Sequence, residues 1–394
     1  MKGNEVVVLD GVRTGIGDYG GSLKSFSACE LGAIAVRGAL DKTGIDPDSV
    51  GHCVIGNVLH SDKRDMYISR YAALEGGLPI ETPALTVNRL CGSGLQAIVN
   101  AAQIVQLGDA DTVIAGGAES MSGAPYWATG MRWGQRMGHA EFVDIMVGAL
   151  SDPFQDCHMG VTAENIAQKW NIDRDEQDAL AVESHSRAAQ AHAKGRFDDQ
   201  IIPVEIKSRR ETTEFATDEH VRSDCSMEGL AKMRPVFRKD GSVTAGNASG
   251  INDAAAAIVM MEAGAAEKAG YEPIARLLDY THSGVEPEYM GIGPVPAIRK
   301  LLDRTGINLD DVDVIELNEA FAVQALAVMK DLDLPADRTN PNGSGISLGH
   351  PIGATGCILT VKALHELRRT GGRYAIVSMC IGGGQGIAAA FERL

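Results

Sequence analysis

At 394 residues the chain is long enough for two or three domains and a substantial core. With 44% hydrophobic and 22% charged residues, and no apolar run of the roughly 20 residues that span a bilayer, its composition is that of a soluble globular protein. A formal charge of −16 argues against general affinity for nucleic acid or anionic membrane, and seven cysteines, an odd number without a CxxC pair, argue against a disulfide framework or a thiolate zinc site.

In chain order, the opening MKGNEVVVLDGVRTG starts at once with a strand-like run and has no basic start before a long apolar stretch, which predicts a cytoplasmic protein without a signal peptide. Ala84 to Val87 has strand composition, and Leu95 to Gln106 carries apolar residues at helical spacing. Cys91, in NRLCGSGLQA (88 to 97), is therefore expected at a strand-to-helix corner. A thiol there faces unpaired helix N–H groups and the positive end of the helix dipole, which favour thiolate over thiol. TVIAGGAES (112 to 120) reads as a strand ending in glycines. The next stretch, 121 to 247, is rich in Gly, Met and charged residues and reads as a loop domain over a site. Between Glu205 and Asp240 it carries Lys207, Arg209, Arg210, Arg222, Lys232, Arg234, Arg238 and Lys239 against eight acidic residues. That stretch is neutral inside an acidic chain, a local exception that a polyanionic ligand would need.

The rest of the chain repeats the first part. TGIDPDSVGHCVIGNVL (43 to 59) is echoed by TGINLDDVDVIELNEAF (305 to 321), and TVIAGGAES, beginning at 112, by YAIVSMCIGGG, beginning at 374; both pairs lie 262 positions apart. A shared offset at separated places predicts a duplicated unit. The expected division is 1–120 with 248–270 as the first half, 121–247 as the loop domain and 271–394 as the second half. Strands and helices alternate within each half, so the class is α/β with βαβ-type connections and mainly parallel, buried sheets.

The same offset carries Cys91 to position 353, inside NGSGISLGHPIGATG (342 to 356), and so predicts that His350 lies close to Cys91. A Cys nucleophile needs a base or cation, and His supplies either near neutral pH. Cys380, in CIGGGQG, is expected at the end of one strand, and Asn318, in LNEAFA, at the end of another, where an Asn can orient a water or polarise a carbonyl. CIGGGQG lies near the C-terminus with no βαβ unit after it, which argues against a dinucleotide site. A cysteine hydrolase would use Cys and His without needing the second Cys. Two cysteines and one histidine suit a reaction in which one thiolate takes an acyl group and the other moves a proton.

Taken together and in order, NRLCGSGLQA, LNEAFA, GHPIGATG and CIGGGQG, with HMGVTAENIA (158 to 167), TAGNASGINDAAAA (244 to 257) and MGIGPVPA (290 to 297), resemble the thiolases, acyl-CoA C-acyltransferases, over the whole chain. The resemblance implies a five-layer αβαβα fold, with the loop domain contributing to a coenzyme A pocket and the chain assembling as a homodimer or homotetramer. It implies Cys91 as the acylated nucleophile of a ping-pong reaction, His350 as its activator, Cys380 as acid/base at the α-carbon and Asn318 as holder of an oxyanion-hole water. His158, Met159 and Met290 would line the acyl pocket, Ser249 would meet the pantetheine arm, Arg222 would lie near the adenine, and the N–H groups of Cys91 and Gly382 would form a second oxyanion hole. Coenzyme A and its acyl thioesters would be substrates and products, with no resident cofactor or metal. Ser344, Ser347 and Thr355 depart from the commonest family pattern and resemble a bacterial β-ketothiolase subgroup, so acyl preference is where the chain is expected to differ. Two rival readings are a decarboxylating ketoacyl synthase, which would resemble a Cys-His-His site, and a non-catalytic acyl-CoA scaffold, which would have lost a catalytic residue.

Overall fold

The computed structural model describes residues 3–208 and 211–394, so Arg209 and Arg210 of the basic stretch lie outside the described residues. The first half builds β1 (Val6–Thr14), α1 (Ala28–Thr43), β2 (His52–Gly56), α2 (Ile68–Gly76), β3 (Ala84–Val87), α3 (Ser93–Leu107) and β4 (Thr112–Ser120). After two longer helices of the inserted segment, α4 (Met159–Trp170) and α5 (Arg174–Ala193), the chain returns as β5 (Asn252–Glu262). The second half builds β6 (Ala275–Gly284), α6 (Pro294–Thr305), β7 (Val312–Leu317), α7 (Ala322–Leu332), α8 (Thr355–Thr370), β8 (Tyr374–Ile381) and β9 (Gln385–Arg393).

The strands hydrogen-bond in the order β7-β8-β9-β6-β1-β5-β4-β2-β3. Four strands follow the same order in both halves, β1-β5-β4-β2 on one side and β6-β9-β8-β7 on the other, with β3 an additional edge strand of the first, and the two halves meet where Val7 and Val8 pair with Arg276 and Ala275. The duplication is thus visible as topology. α3 starts at Ser93 and α8 at Thr355, which are again 262 positions apart.

Three apolar clusters define the layers. One joins α1 and α2 to β1 through Val7, Leu31, Val36, Ile55 and Ile68. A second joins α3 and α8 to the inner faces of both halves through Val8, Ile98, Ile358, Val361 and Val377. A third joins α6 and α7 to the outer face of the second half through Ile298, Leu301, Ile315 and Val328. The arrangement is αβαβα. Because α8 lies in the middle layer it is buried all round from Thr355 to Leu367, and its one lysine there, Lys362, is neutralised by Glu316 at 2.7 Å and also donates to the Gly343 carbonyl. A buried charge needs such partners.

The expected mainly parallel sheet is corrected here. β2 pairs parallel with β3 and β4, and β7 with β8, but β5 runs antiparallel to β1 and β4, and β9 antiparallel to β6 and β8. The reason lies in the connections. β8 and β9 are joined by the tight turn Gly382–Gly384, and so short a link can join only antiparallel strands. β5 follows the long insertion and carries no crossover helix to set its direction.

The inserted segment is fastened to the first half by a buried cluster. Arg13, fully buried on β1, forks onto Asp218 at 2.6 and 2.9 Å, and Arg13 also bonds Gln200 while His192 bonds the same Asp218. A bidentate pair of this kind fixes orientation as well as position.

Candidate active site

The two strand-to-helix corners interlock backbone against backbone. A side chain added at Gly94 would sit 2.7 Å from the Cys357 nitrogen, and one at Gly356, 262 positions later, would sit 2.2 Å from the Leu95 nitrogen. Only glycine permits this approach. It brings the N-terminal ends of α3 and α8 together, and with them the residues just before each helix.

Cys91 precedes α3 in a turn held by hydrogen bonds from the Gly92 N–H to the Arg89 carbonyl and from the Ser93 N–H and hydroxyl to the Leu90 carbonyl. Leu90 takes a φ of 46°, a left-handed conformation that costs a branched side chain energy and turns the chain sharply ahead of the thiol. Burial pushes the Cys91 thiol up to about 11, against the N–H groups of Gly382 and of Cys91 itself, which favour the thiolate. Burial therefore outweighs the helix end that was expected to hold a thiolate, and the resting group is a thiol.

His350 is buried, and the imidazole is held down to about 4 by desolvation. Its Nδ1 lies 2.7 Å from the Thr355 hydroxyl, which itself donates to the Pro351 carbonyl at 2.9 Å. A hydroxyl has one proton to give, so Nδ1 carries the hydrogen and Nε2 is left with its lone pair. Thr355, one of the departures noted in the sequence, thus fixes the tautomer. Nε2 lies 3.4 Å from the amide nitrogen of Asn318, a buried residue at the end of β7 whose Oδ1 has no partner among the described residues. Cys380, at the end of β8, is 1% exposed, and burial with the neighbouring Cys91 raises its thiol.

Cys91, His350, Cys380 and Gly382 line one cavity of about 550 Å³, together with His158, Met159, Ser249 and Met290. His158 caps α4 by accepting the Gly160 N–H on Nδ1 at 3.0 Å and stacks on Phe237 at 4.7 Å. Its Nε2 is therefore the N–H donor. Asn318 does not line this cavity; it reaches the site through His350. Nor does Arg222, whose exposed guanidinium pairs with Asp18 at 3.0 Å. Asp18 does line the cavity and also bonds His220, so Arg222 stands one residue behind the wall.

Phe237, Leu150, Ile352, Phe321, Asp18 and His220 are among the other lining residues and were not singled out in the sequence. Phe237 lies inside the basic stretch and had no periodicity to mark it. Ile352, by contrast, sits inside GHPIGATG and could have been found there. Among the described residues no group of three or more His, Cys, Asp or Glu could hold a metal, and no helix is long and apolar enough to cross a membrane.

The fold agrees with the comparisons. The family model "Thiolase, N-terminal domain" matches residues 6–264 and "Thiolase, C-terminal domain" matches residues 271–393. The chain belongs to the thiolase family. It is 61% identical to the beta-ketothiolase BktB of Cupriavidus necator over 99% of both chains, and 45% identical to the human mitochondrial 3-ketoacyl-CoA thiolase over 98% of both. Among solved structures, the acetyl-CoA acetyltransferase of Bacillus anthracis matches with a TM-score of 0.98 at 46% identity over all of both chains. The human mitochondrial 3-ketoacyl-CoA thiolase in complex with CoA matches with 0.96 at 45% identity over 99% of this chain and 98% of that one.

Proposed function

We propose that this chain is a β-ketothiolase: an acyl-CoA C-acyltransferase that joins an acyl-CoA to acetyl-CoA and, in reverse, cleaves a 3-ketoacyl-CoA with coenzyme A. The observation that carries the reading is the shared cavity, in which two thiols, an imidazole with an unprotonated Nε2 and two aimed N–H groups converge on a mostly apolar space.

In the acylation step Cys91 Sγ attacks the thioester carbonyl while its proton passes to His350 Nε2, and the departing coenzyme A thiolate takes that proton as it leaves. The acyl group stays at the thioester level of activation. In the condensation step the Cys380 proton passes to His350 Nε2, the thiolate so formed removes a proton from the α-carbon of acetyl-CoA, and the charge developing on that thioester oxygen is met by the Nε2–H and by a water held on Asn318. The carbanion then attacks acyl-Cys91, whose oxygen faces the N–H groups of Cys91 and Gly382, and collapse expels the Cys91 thiolate, which takes the proton from His350 Nε2. One donor of this kind is worth about 10²–10³ in rate. The decarboxylating synthase reading lacks its second histidine, since Asn318 and Cys380 occupy the corners where it would be sought. Arg222 and the pair Asp18–His220 form the mouth through which the nucleotide end of coenzyme A would extend.

The segment 121–247 acts as the loop domain over this cavity, contributing His158, Met159 and Phe237 to its wall. Self-assembly as a dimer or tetramer is supported by β3, an edge strand whose Leu85 is exposed, and by exposed Trp127, Met131 and Trp133 in the insertion. Steady-state thiolysis with acetoacetyl-, 3-ketovaleryl- and 3-ketohexanoyl-CoA tests the reading. Turnover with at least one of them, dependent on Cys91, is expected; none with any would end it.

A further inference from the structure

The thiol and its base belong to different halves of the molecule, so something must hold the histidine turn of the second half against the first. Two buried side chains of the first half grip that turn on either side of the imidazole. Asn252, at the start of β5 and fully buried, accepts the His350 N–H on Oδ1 at 2.9 Å and donates through Nδ2 to the Gly17 carbonyl at 3.1 Å. Glu119, at the end of β4 and also fully buried, accepts the Gly353 N–H on Oε2 at 2.8 Å. Its other contacts are the Val58 N–H on the same oxygen, and the Leu59 N–H and Asn57 amide on Oε1. Four donors with no acceptor is the hydrogen-bond set of a carboxylate, opposed by burial, which pushes the carboxyl up to about 8.

Both glycines that frame the turn fit these grips. A Cβ on Gly349, whose φ is +108°, would meet the Asn252 side chain at 2.4 Å, and one on Gly353 would meet Glu119 Oε2 at 2.6 Å. The turn is thus shaped to receive the two side chains.

We propose that Glu119 and Asn252 are positioning residues that set the His350 imidazole against Cys91 across the interface between the halves. The proposal rests on the reading of His350 as the base for Cys91. Glu119 and Asn252 act through His350 and touch no substrate.

The test is a double-mutant cycle read by alkylation of Cys91 with iodoacetamide, followed by peptide mapping in the full-length protein. Glu119→Gln keeps the side chain's size, yet in either orientation its NH₂ meets a backbone N–H. It is expected to slow Cys91 alkylation about tenfold at neutral pH with His350 present, and by less than about twofold in a His350→Ala background, since residues acting through one group are not additive. Asn252→Ala should behave the same way, with Asn252→Asp, which keeps the acceptor for the His350 N–H, recovering part of the rate. Equal slowing in both backgrounds would mean a general structural role and would overturn the proposal, as would unchanged alkylation in folded Glu119→Gln and Asn252→Ala. If Glu119→Gln does not fold, the Asn252 variants decide. His350→Ala that leaves alkylation untouched would instead refute the base assignment.

Discussion

The two halves share a strand order and a helix-to-strand rhythm, yet they contribute very different chemistry. In the proposed reaction the first half supplies one reacting group, Cys91. The second would supply His350, Cys380 and Asn318. At the positions 262 residues earlier the first half has Asn88, Ala118 and Gly56, and opposite Cys91 the second half has Gly353. The duplicated backbone therefore delivers two equivalent corners to one place, and side chains that differ at equivalent positions would make them the proposed nucleophile and base. The first half has its own specialised group in Glu119, which lies opposite the apolar Ile381 and reaches across to the partner corner. Symmetry sets the location, and its breaking sets the roles.

The largest way to break that comparison is to push the corners apart. Gly356→Val would drive its side chain into the Leu95 backbone, where no flexible group can yield, and should cost about 3 kcal/mol or more. A denaturation midpoint unchanged from the parent would show that the corners do not interlock as described.

A sharper test leaves the corners in place and alters only the second. Thr355→Val keeps shape but removes the hydroxyl that fixes the His350 tautomer, so kcat for thiolysis should fall about tenfold with KM nearly unchanged. A rise in KM alone would assign Thr355 to substrate binding. The same corner sets the pH behaviour. Since burial holds His350 down to about 4, it is a neutral base above that value and loses the role as pH falls through it. Burst acetylation of Cys91 should accordingly show no inflection near the ordinary histidine value of about 6.5. An inflection there would mean an imidazole open to water.

The smallest effect is expected at the mouth. Arg222 is exposed and already paired with Asp18, so Arg222→Ala should raise KM for CoA thioesters only about two- to threefold and leave kcat alone. A change in kcat would bring Arg222 closer to the reacting atoms than its ion pair allows.

Much of this was legible in the sequence because duplication leaves a countable trace. The offset of 262 located the second corner, and the glycine-rich turns marked where backbones would approach. His350 was reached by transferring one position. What stayed hidden depends on contacts between segments remote in the chain. Glu119 ends an unremarkable strand run and becomes a clamp only because residues 57–59 and 353 converge on it, and Asn252 was quoted in a motif without a role. The direction of β5 and β9 depends on the connections, which alternation of strands and helices does not report. Burial reversed the expectation for Cys91, since a sequence reveals a helix end more readily than the depth of the pocket around it.

The division of labour between the two cysteines is the central claim, and intact mass spectrometry after mixing with acetyl-CoA tests it most directly. Cys380→Ala should still gain one acetyl group on Cys91 while making no acetoacetyl-CoA, and Cys91→Ala should gain none. A Cys380→Ala protein that condenses acetyl-CoA near the parent rate, or a Cys91→Ala protein that carries a stable acetyl group and turns over, would contradict the roles assigned to the two corners.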